Sequence, residues 1–340
     1  MEVVKGWTHK AFPVDDASRV GEARRHAAQL AAALGLPEAD AGRLALVVTE
    51  LGTNLHRHAV KGRLLIAARP ASKDVEVVAI DEGPGMPDLR LSMRDGQSSG
   101  STPGTGLGAI RRLADDFDIH TSVPHGTVCV ARVRMPRAAG AAAQRAPAIE
   151  IGAIMLCAPG ESVCGDGWAA SVDGSRSWLL LADGLGHGPA AAEASGAACE
   201  VFAASPQSDP RDLVQKVHAA LRTTRGAAVC ALALDAESAT IDYCGAGNVV
   251  GRVLSGVFDK SIITQHGTAG LQIRRPEPSS IEMPSHALLI MHSDGIETRW
   301  KAERLLPVLR SDPSLVAAIL MRDHTRHRDD ATVVVLRRKD

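Results

Sequence analysis

The chain has 340 residues, 45% of them hydrophobic and only 3% aromatic, with a formal net charge of −1. That length fits two domains of roughly 150 residues better than one, with cores that must rest on Ala, Val, Leu and Ile. Charges of both signs are interspersed, which excludes a basic nucleic-acid surface as the main feature, and no run approaches the roughly 20 apolar residues of a membrane helix.

The first residues, MEVVKGWTHK, lack the apolar core of a signal peptide, so a cytoplasmic protein is expected. The six cysteines form no CxxC pair and most lie in apolar runs such as 228–232. Buried, reduced thiols are expected, rather than disulfides or a zinc site.

Taken in chain order, residues 16–34 place Val20, Ala23, Ala27, Leu30 and Leu34 at helical spacing and stop at Gly35. Residues 38–59 repeat the pattern with Leu44, Val47, Val48, Leu51 and Leu55. Strand-like runs follow at 63–68, 74–80 and 126–134, with a Gly/Ser-rich loop at 92–106 and a helix near 107–116. Helices, then strands, then a glycine loop predict an α/β sandwich with helices on one face of a mixed sheet. Residues 137–148 are Ala-rich, aperiodic and end near Pro147, which reads as a linker. The predicted division is therefore 1–136, linker 137–148, and 149–340. Beyond the linker, strands are expected at 150–156, 169–173, 177–183, 227–234, 238–243, 249–254, 287–292 and 331–336. Helical patterns fill 188–204, 210–224 and 313–322, giving a strand-rich α+β domain with enough strands for two packed sheets.

Three segments of the first half carry chemistry. On a helix, Glu50, Asn54 and His58 fall at i, i+4 and i+8 and share a face. A carboxylate and an amide one turn apart can orient a nucleophile and hold a magnesium ion on triphosphate oxygens, although a solvated helix face would show the same pattern. Asp81-Glu-Gly83-Pro-Gly85-Met86 follows an apolar strand. An Asp there can accept from an adenine amino group while the glycines admit the base, or it can be a plain turn. Gly104-Thr105-Gly106-Leu107-Gly108 opens a helix, where free backbone N–H groups can bind phosphate. It is not a Walker A loop, because no Lys-Ser/Thr follows.

In the second half, Asp166, Asp183, Asp294 and the pair Asp329-Asp330 stand beside apolar strands, the first three each followed by Gly. Carboxylates at strand ends can converge on one sheet edge, and hard oxygen ligands suit magnesium or manganese. Two such ions could activate a water and hold a phosphate. Neither zinc-type Cys/His spacing nor a nucleophilic-cysteine signature is present.

The order and spacing of the three N-terminal segments resemble the N, G1 and G2 boxes of the GHKL (Bergerat) ATP-binding family over about residues 10–135. Gly126-Thr127 resembles that family's further adenine-side position, and the run from Gly104 to Ile119 looks most like RsbT-type switch kinases, next most like RsbW-type anti-sigma kinases. The resemblance implies that Asn54 holds Mg2+ with ATP, Glu50 activates the acceptor hydroxyl and Asp81 binds adenine. It assigns the nucleotide pocket to Gly83, Gly85, Gly104, Thr105, Gly106, Leu107, Gly108 and Thr127. His58 matches a common family position, with helix packing as the plainer reading.

Ala-Asp183-Gly184-Leu-Gly-His187-Gly188, Ser-Asp294-Gly, Arg225-Gly226-Ala227 and Ala246-Gly247-Asn248 resemble the SpoIIE/RsbX branch of the PPM phosphatases over about 150–338. That implies an αββα sandwich with two Mn2+ or Mg2+ ions. By resemblance Asp183 bridges both, the Gly184 carbonyl assists, Asp166 serves the first ion, and Asp294 and Asp329 serve the second. Asp329 is preferred to Asp330 because the first residue of the pair is the family ligand. His187 could be a general acid or a loop residue.

The two resemblances imply a Ser/Thr kinase fused to a phosphoserine/phosphothreonine phosphatase, acting on STAS-domain proteins such as an anti-sigma antagonist or a stressosome-like partner. A sigma factor is a further candidate partner, and a homodimer a candidate assembly. The alternative is an ATP-gated partner-binding module that regulates the attached phosphatase.

Overall fold

The computed structural model describes residues 2–93, 106–136 and 148–338. They form two compact units: His9–Gln144, and Met1–Thr8 together with Arg145–Asp340. The predicted first domain began at residue 1. The structure instead groups the first eight residues with the second unit, through β1 (Glu2–Lys5).

The N-terminal unit comprises β2 (Lys10–Pro13), α1 (Ala17–Leu34), α2 (Glu38–His58), β3 (Arg63–Arg69), β4 (Asp74–Ile80), α3 (Leu89–Ser92), α4 (Gly106–Leu113), β5 (Asp116–Ser122) and β6 (Gly126–Arg134). Helix α1 begins where the Asp16 carboxylate accepts from the Ser18 backbone N at 2.7 Å, and ends at Gly35. Its inner face is Val20, Ala23, Ala27 and Ala31. With Leu44, Val47, Val48, Leu51 and Leu55 of α2, that face packs on Leu64, Ile66, Val75, Val77, Cys129, Ala131 and Val133 of the sheet. Full burial of one Val or Leu side chain contributes roughly 1.5–3 kcal/mol, so this single core holds the helical layer to the sheet.

The strand order is β2-β3-β4-β6-β5. Every neighbouring pair is antiparallel, where a mixed sheet was predicted. Two strands were missing from the prediction. β2 is only four residues long, and β5 lies almost wholly in the stretch left unassigned between the helix predicted near 107–116, which in fact stops at Leu113, and the strand at 126–134. The signal for β5 is Phe117 and Ile119 at period two, set among polar residues.

The C-terminal unit adds β7 (Ile149–Leu156), β8 (Asp166–Asp173), β9 (Arg176–Gly184), α5 (Pro189–Ala204), α6 (Pro210–Ala220), β10 (Ala227–Asp235), β11 (Thr240–Ala246), β12 (Val250–Leu254) and β13 (Asp259–Ile262). After these come β14 (Gly267–Thr268), β15 (Gln272–Ile273), β16 (Ser279–Glu282), β17 (Leu288–His292), α7 (Pro313–His324) and β18 (Ala331–Arg338). One sheet runs β1-β8-β9-β10-β11-β16 and the other β13-β12-β17-β18-β7, with β14-β15 as a small ribbon. Helices α5 and α6 cover the first sheet and α7 the second, an αββα sandwich. The run Trp178-Leu-Leu-Leu-Ala182 in β9 is buried on both faces, which explains its unbroken apolar character. No helix among the described residues is long and apolar enough to cross a membrane.

β1 sits at the edge of the first sheet, antiparallel to β8 with Val4 opposite Ala170. The Gly6 backbone N donates to the Trp168 carbonyl at 2.7 Å, and the Trp7 and Trp168 rings meet edge-on with centroids 4.7 Å apart. Trp7→Ala is expected to destabilise the C-terminal unit by about 3 kcal/mol, the usual cost of deleting a buried aromatic. Urea denaturation followed by the tryptophan signal measures it. An unchanged midpoint would show that the N-terminal strand contributes nothing there.

Candidate functional site

In the C-terminal unit, four strand ends from two sheets bring the carboxylates together. Asp166 opens β8 and Asp183 lies near the end of β9, directly opposite it in the ladder. Asp294 follows β17 by two residues, and Asp329-Asp330 precede β18. The Asp294 backbone N donates to Asp183 Oδ2 at 3.5 Å, a contact of the Asp183 side chain with the backbone of the segment that follows β17. Gly184 and Gly295, the glycines after Asp183 and Asp294, are demanded by close approach. A Cβ on Gly184 would stand 2.1 Å from the Ala191 carbonyl of α5, and one on Gly295 would stand 2.0 Å from the Asp330 carbonyl.

Further groups hold the acids in place. Ser293 Oγ donates to Asp166 Oδ2 at 2.7 Å and accepts from the Thr332 backbone N at 3.0 Å. Asn248 Nδ2 donates to Asp294 Oδ2 at 2.6 Å. The Leu185 backbone N donates to the Gly226 carbonyl at 3.0 Å, which sets Arg225 beside the Asp183–Gly188 loop. His187 is exposed, and its Nδ1 pairs with Glu161 Oε1 at 2.7 Å. Ser293 and Asn248 were not predicted as site residues, although both stand inside motifs that the sequence displays.

The electrostatics are those of crowded anions. Burial pushes Asp183 up to about 9, with the charges of Asp166, Asp294 and Asp329 adding to the effect. Burial likewise raises Asp166 to about 7, opposed by its hydrogen bonds and reinforced by Asp330 and Asp294. Asp294 is raised by burial and by Asp329, against a smaller lowering by Arg326 and Arg328. Asp329 therefore bears on both Asp183 and Asp294. Asp330, whose charge reaches Asp166, is held through its Oδ1, which accepts from the Ala158 backbone N at 2.8 Å. A cluster of carboxylates that repel one another at short range fits hard divalent cations, which would remove that repulsion.

In the N-terminal unit, Glu50 and Asn54 are half-buried on α2, one turn apart. His58, for which helix packing was the plainer expectation, is exposed at the last position of α2. Asp81 follows β4 and is buried, with Oδ1 accepting from the Gly83 backbone N at 2.6 Å and Oδ2 from the Thr127 backbone N at 3.2 Å. Gly126 has φ +84°, and a Cβ there would stand 2.2 Å from the Asp81 carbonyl. Only glycine lets β6 close on Asp81. Thr127 Oγ1 lies 3.2 Å from Thr121 Oγ1, which accepts from the Met86 backbone N at 2.8 Å. Thus Asp81, Gly83, Met86, Thr121 and Thr127 form one hydrogen-bonded corner. Gly106, Leu107 and Gly108 open α4. Gly104 and Thr105 lie outside the described residues.

A helix-backed antiparallel sheet with this corner is a histidine-kinase-like ATPase fold, and the sandwich with its acidic edge is a PP2C-type phosphatase fold. Comparison with known proteins agrees: the family described as Histidine kinase-like ATPase domain matches residues 12–133, and that described as Stage II sporulation protein E (SpoIIE) matches 173–339. Through its N-terminal half the chain belongs to the first of these families, and its C-terminal half matches the second. It is 35% identical over 107 residues to the serine/threonine-protein kinase RsbT of Bacillus subtilis (strain 168), covering 31% of this chain and 80% of that protein. It is 31% identical over 90 residues to the phosphoserine phosphatase RsbX of the same organism, covering 26% of this chain but only 45% of RsbX. A crystal structure of RsbX in complex with magnesium superposes with TM-score 0.52 at 22% identity, over 58% of this chain and 98% of that one.

Because Asp183 holds its proton more tightly folded than unfolded, the metal-free folded chain binds more protons from about pH 4 upward. Its stability therefore falls as pH rises through the interval to about 9, where Asp183 ionises in the folded chain. With chelator present, Asp183→Asn should stabilise the protein by about 1–3 kcal/mol at pH 8 and flatten that slope. Urea denaturation at pH 5 and pH 8 checks both. Destabilisation by this isosteric change would mean that the carboxylates do not repel one another.

Proposed function

We propose that this protein removes phosphate from serine or threonine of a protein substrate with its C-terminal unit, and binds ATP for phosphoryl transfer to such a residue with its N-terminal unit. The convergence of Asp166, Asp183, Asp294 and Asp329 at one strand edge is the single observation that most favours the phosphatase reading. Asp183 and Asp294 would hold two Mn2+ or Mg2+ ions together with Asp166, Asp329 and the Gly184 carbonyl. Bound there, the ions would supply the charge that lets water attack a phosphate in line.

The chain's own groups do the rest. Ser293 fixes the Asp166 carboxylate, and Asn248 fixes that of Asp294. The exposed guanidinium of Arg225, beside Gly186, is available to a phosphate dianion. In the N-terminal unit, Asp81 would accept from the adenine amino group, Asn54 would hold Mg2+ on the triphosphate, and Glu50 would accept the proton of the attacking hydroxyl. A STAS-domain protein is the proposed substrate of both activities. That assignment is supported by the family of each half and by the kinase and phosphatase activities carried in the relatives' names.

Asp183→Ala should lower manganese-dependent hydrolysis of a phosphoserine protein on the order of 100-fold or more, with the N-terminal unit still folded. Full activity in that variant with chelator present contradicts the assignment. Asn248→Ala should raise the manganese concentration needed for half-maximal rate more than it lowers the maximal rate, because Asn248 orients a ligand rather than touching substrate.

For the N-terminal unit, Glu50→Ala should abolish label transfer from γ-labelled ATP to a STAS partner while ATP still binds. Equal transfer with and without Glu50 removes it from the mechanism. ATP binding without transfer in the native chain would favour the regulatory reading.

A further inference from the structure

We propose that Cys157, Cys164 and Asp330 form a second metal site, suited to a thiophilic divalent ion such as zinc and chemically different from the all-oxygen cluster beside it. Cys157 directly follows β7 and Asp330 directly precedes β18. Those strands are antiparallel with Leu156 opposite Ala331, so the next pair along the ladder is Cys157 and Asp330. The loop after Cys157 folds back until Cys164 Sγ lies 3.6 Å from the Leu156 carbonyl. Both sulfurs and a carboxylate oxygen of Asp330 then lie within 4.8 Å of one another.

A second observation points to a ligand. Asp330 is only 3% exposed, and its Oδ2 has no hydrogen-bond partner among the described residues. Its other oxygen is pinned by the Ala158 backbone N, so the carboxylate cannot swing out to find water. Gly165 keeps the space beside Oδ2 open, since a Cβ there would stand 2.7 Å from it. A buried carboxylate oxygen left bare is costly unless a cation answers it.

The donor set selects the ion. Two thiolates and one carboxylate favour zinc over magnesium or manganese, which prefer oxygen alone. Tetrahedral zinc with bonds of about 2.3 Å to sulfur needs its donors about 3.8 Å apart, a spacing compatible with three donors that lie within 4.8 Å of one another. The fourth position stays open to water. The spacing of 157, 164 and 330 resembles no zinc motif, and the site exists only because β7 and β18 pair. The Asp330 backbone N also donates to Asp329 Oδ1 at 2.9 Å, so an ion held by Asp330 would stiffen the turn that presents Asp329. Ion binding itself does not depend on the phosphatase reading.

Cobalt(II) is the probe, because thiolate ligation gives a near-ultraviolet charge-transfer band that oxygen ligands do not. The full-length protein is titrated under phosphine reductant with magnesium in excess. The expected result is a band that saturates at one cobalt per chain, is displaced by zinc and survives in Asp183→Asn. In Cys157→Ser the affinity should fall by at least the roughly tenfold typical of weakened metal shells. Absence of a band in the native protein overturns the proposal, as does an unchanged band and affinity in Cys157→Ser, or loss of the band in Asp183→Asn. Should Cys157→Ser fail to fold, Asp330→Asn is read by the same criteria. A phosphatase that proves inactive would leave the band untouched, so the two readings fail separately.

Discussion

Four carboxylates at the meeting edge of two sheets repel one another, and the fold holds them together regardless. Asp166 and Asp183 are locked face to face by the β8–β9 ladder, while Asp294 and Asp329 arrive from the other sheet. Packing of α5 against β9 requires Gly184, and packing of the β17 turn against the Asp330 backbone requires Gly295. Asp166 and Asp294 are thus fixed by backbone placement together with the hydrogen bonds from Ser293 and Asn248. The stability that the sandwich gains from its apolar layers offsets the repulsion, and divalent ions would relieve it.

The N-terminal unit solves a different problem, that of bringing backbone close to one buried acid. Asp81 is held by two backbone N–H groups, one from its own turn and one from β6. Gly126 makes the second contact possible by adopting a left-handed conformation with no side chain to collide with Asp81. The result is a carboxylate whose position depends on the strand register between β4 and β6, and so on the core beneath it. Glu50 and Asn54 come from α2, on the other layer, and their position depends on the same core.

Much of this was legible in the sequence. The long helices and buried strands announced themselves through periodicity, and Asp183 and Asp294 stand at the ends of apolar runs followed by glycine. What stayed hidden has physical causes. β1 is four residues long and its partner β8 lies more than 160 positions away, a pairing that no local pattern encodes. β5 sits directly after a helix and is half-buried throughout, so neither period dominated. Ser293 and Asn248 carry no charge signal, and their roles arise only when β17, β18 and the turn after β11 meet. The choice of Asp329 over Asp330 came from family resemblance. In the structure Asp330 is held by the Ala158 backbone N and stands beside Cys157 and Cys164.

The account stands on the claim that the acidic edge is a two-ion centre. Anomalous diffraction from crystals grown in manganese tests it most directly. The account predicts two strong peaks lying among Asp166, Asp183, Asp294 and Asp329, each within ligand distance of Asp183. No peak there, or manganese bound only elsewhere on the chain, would contradict it.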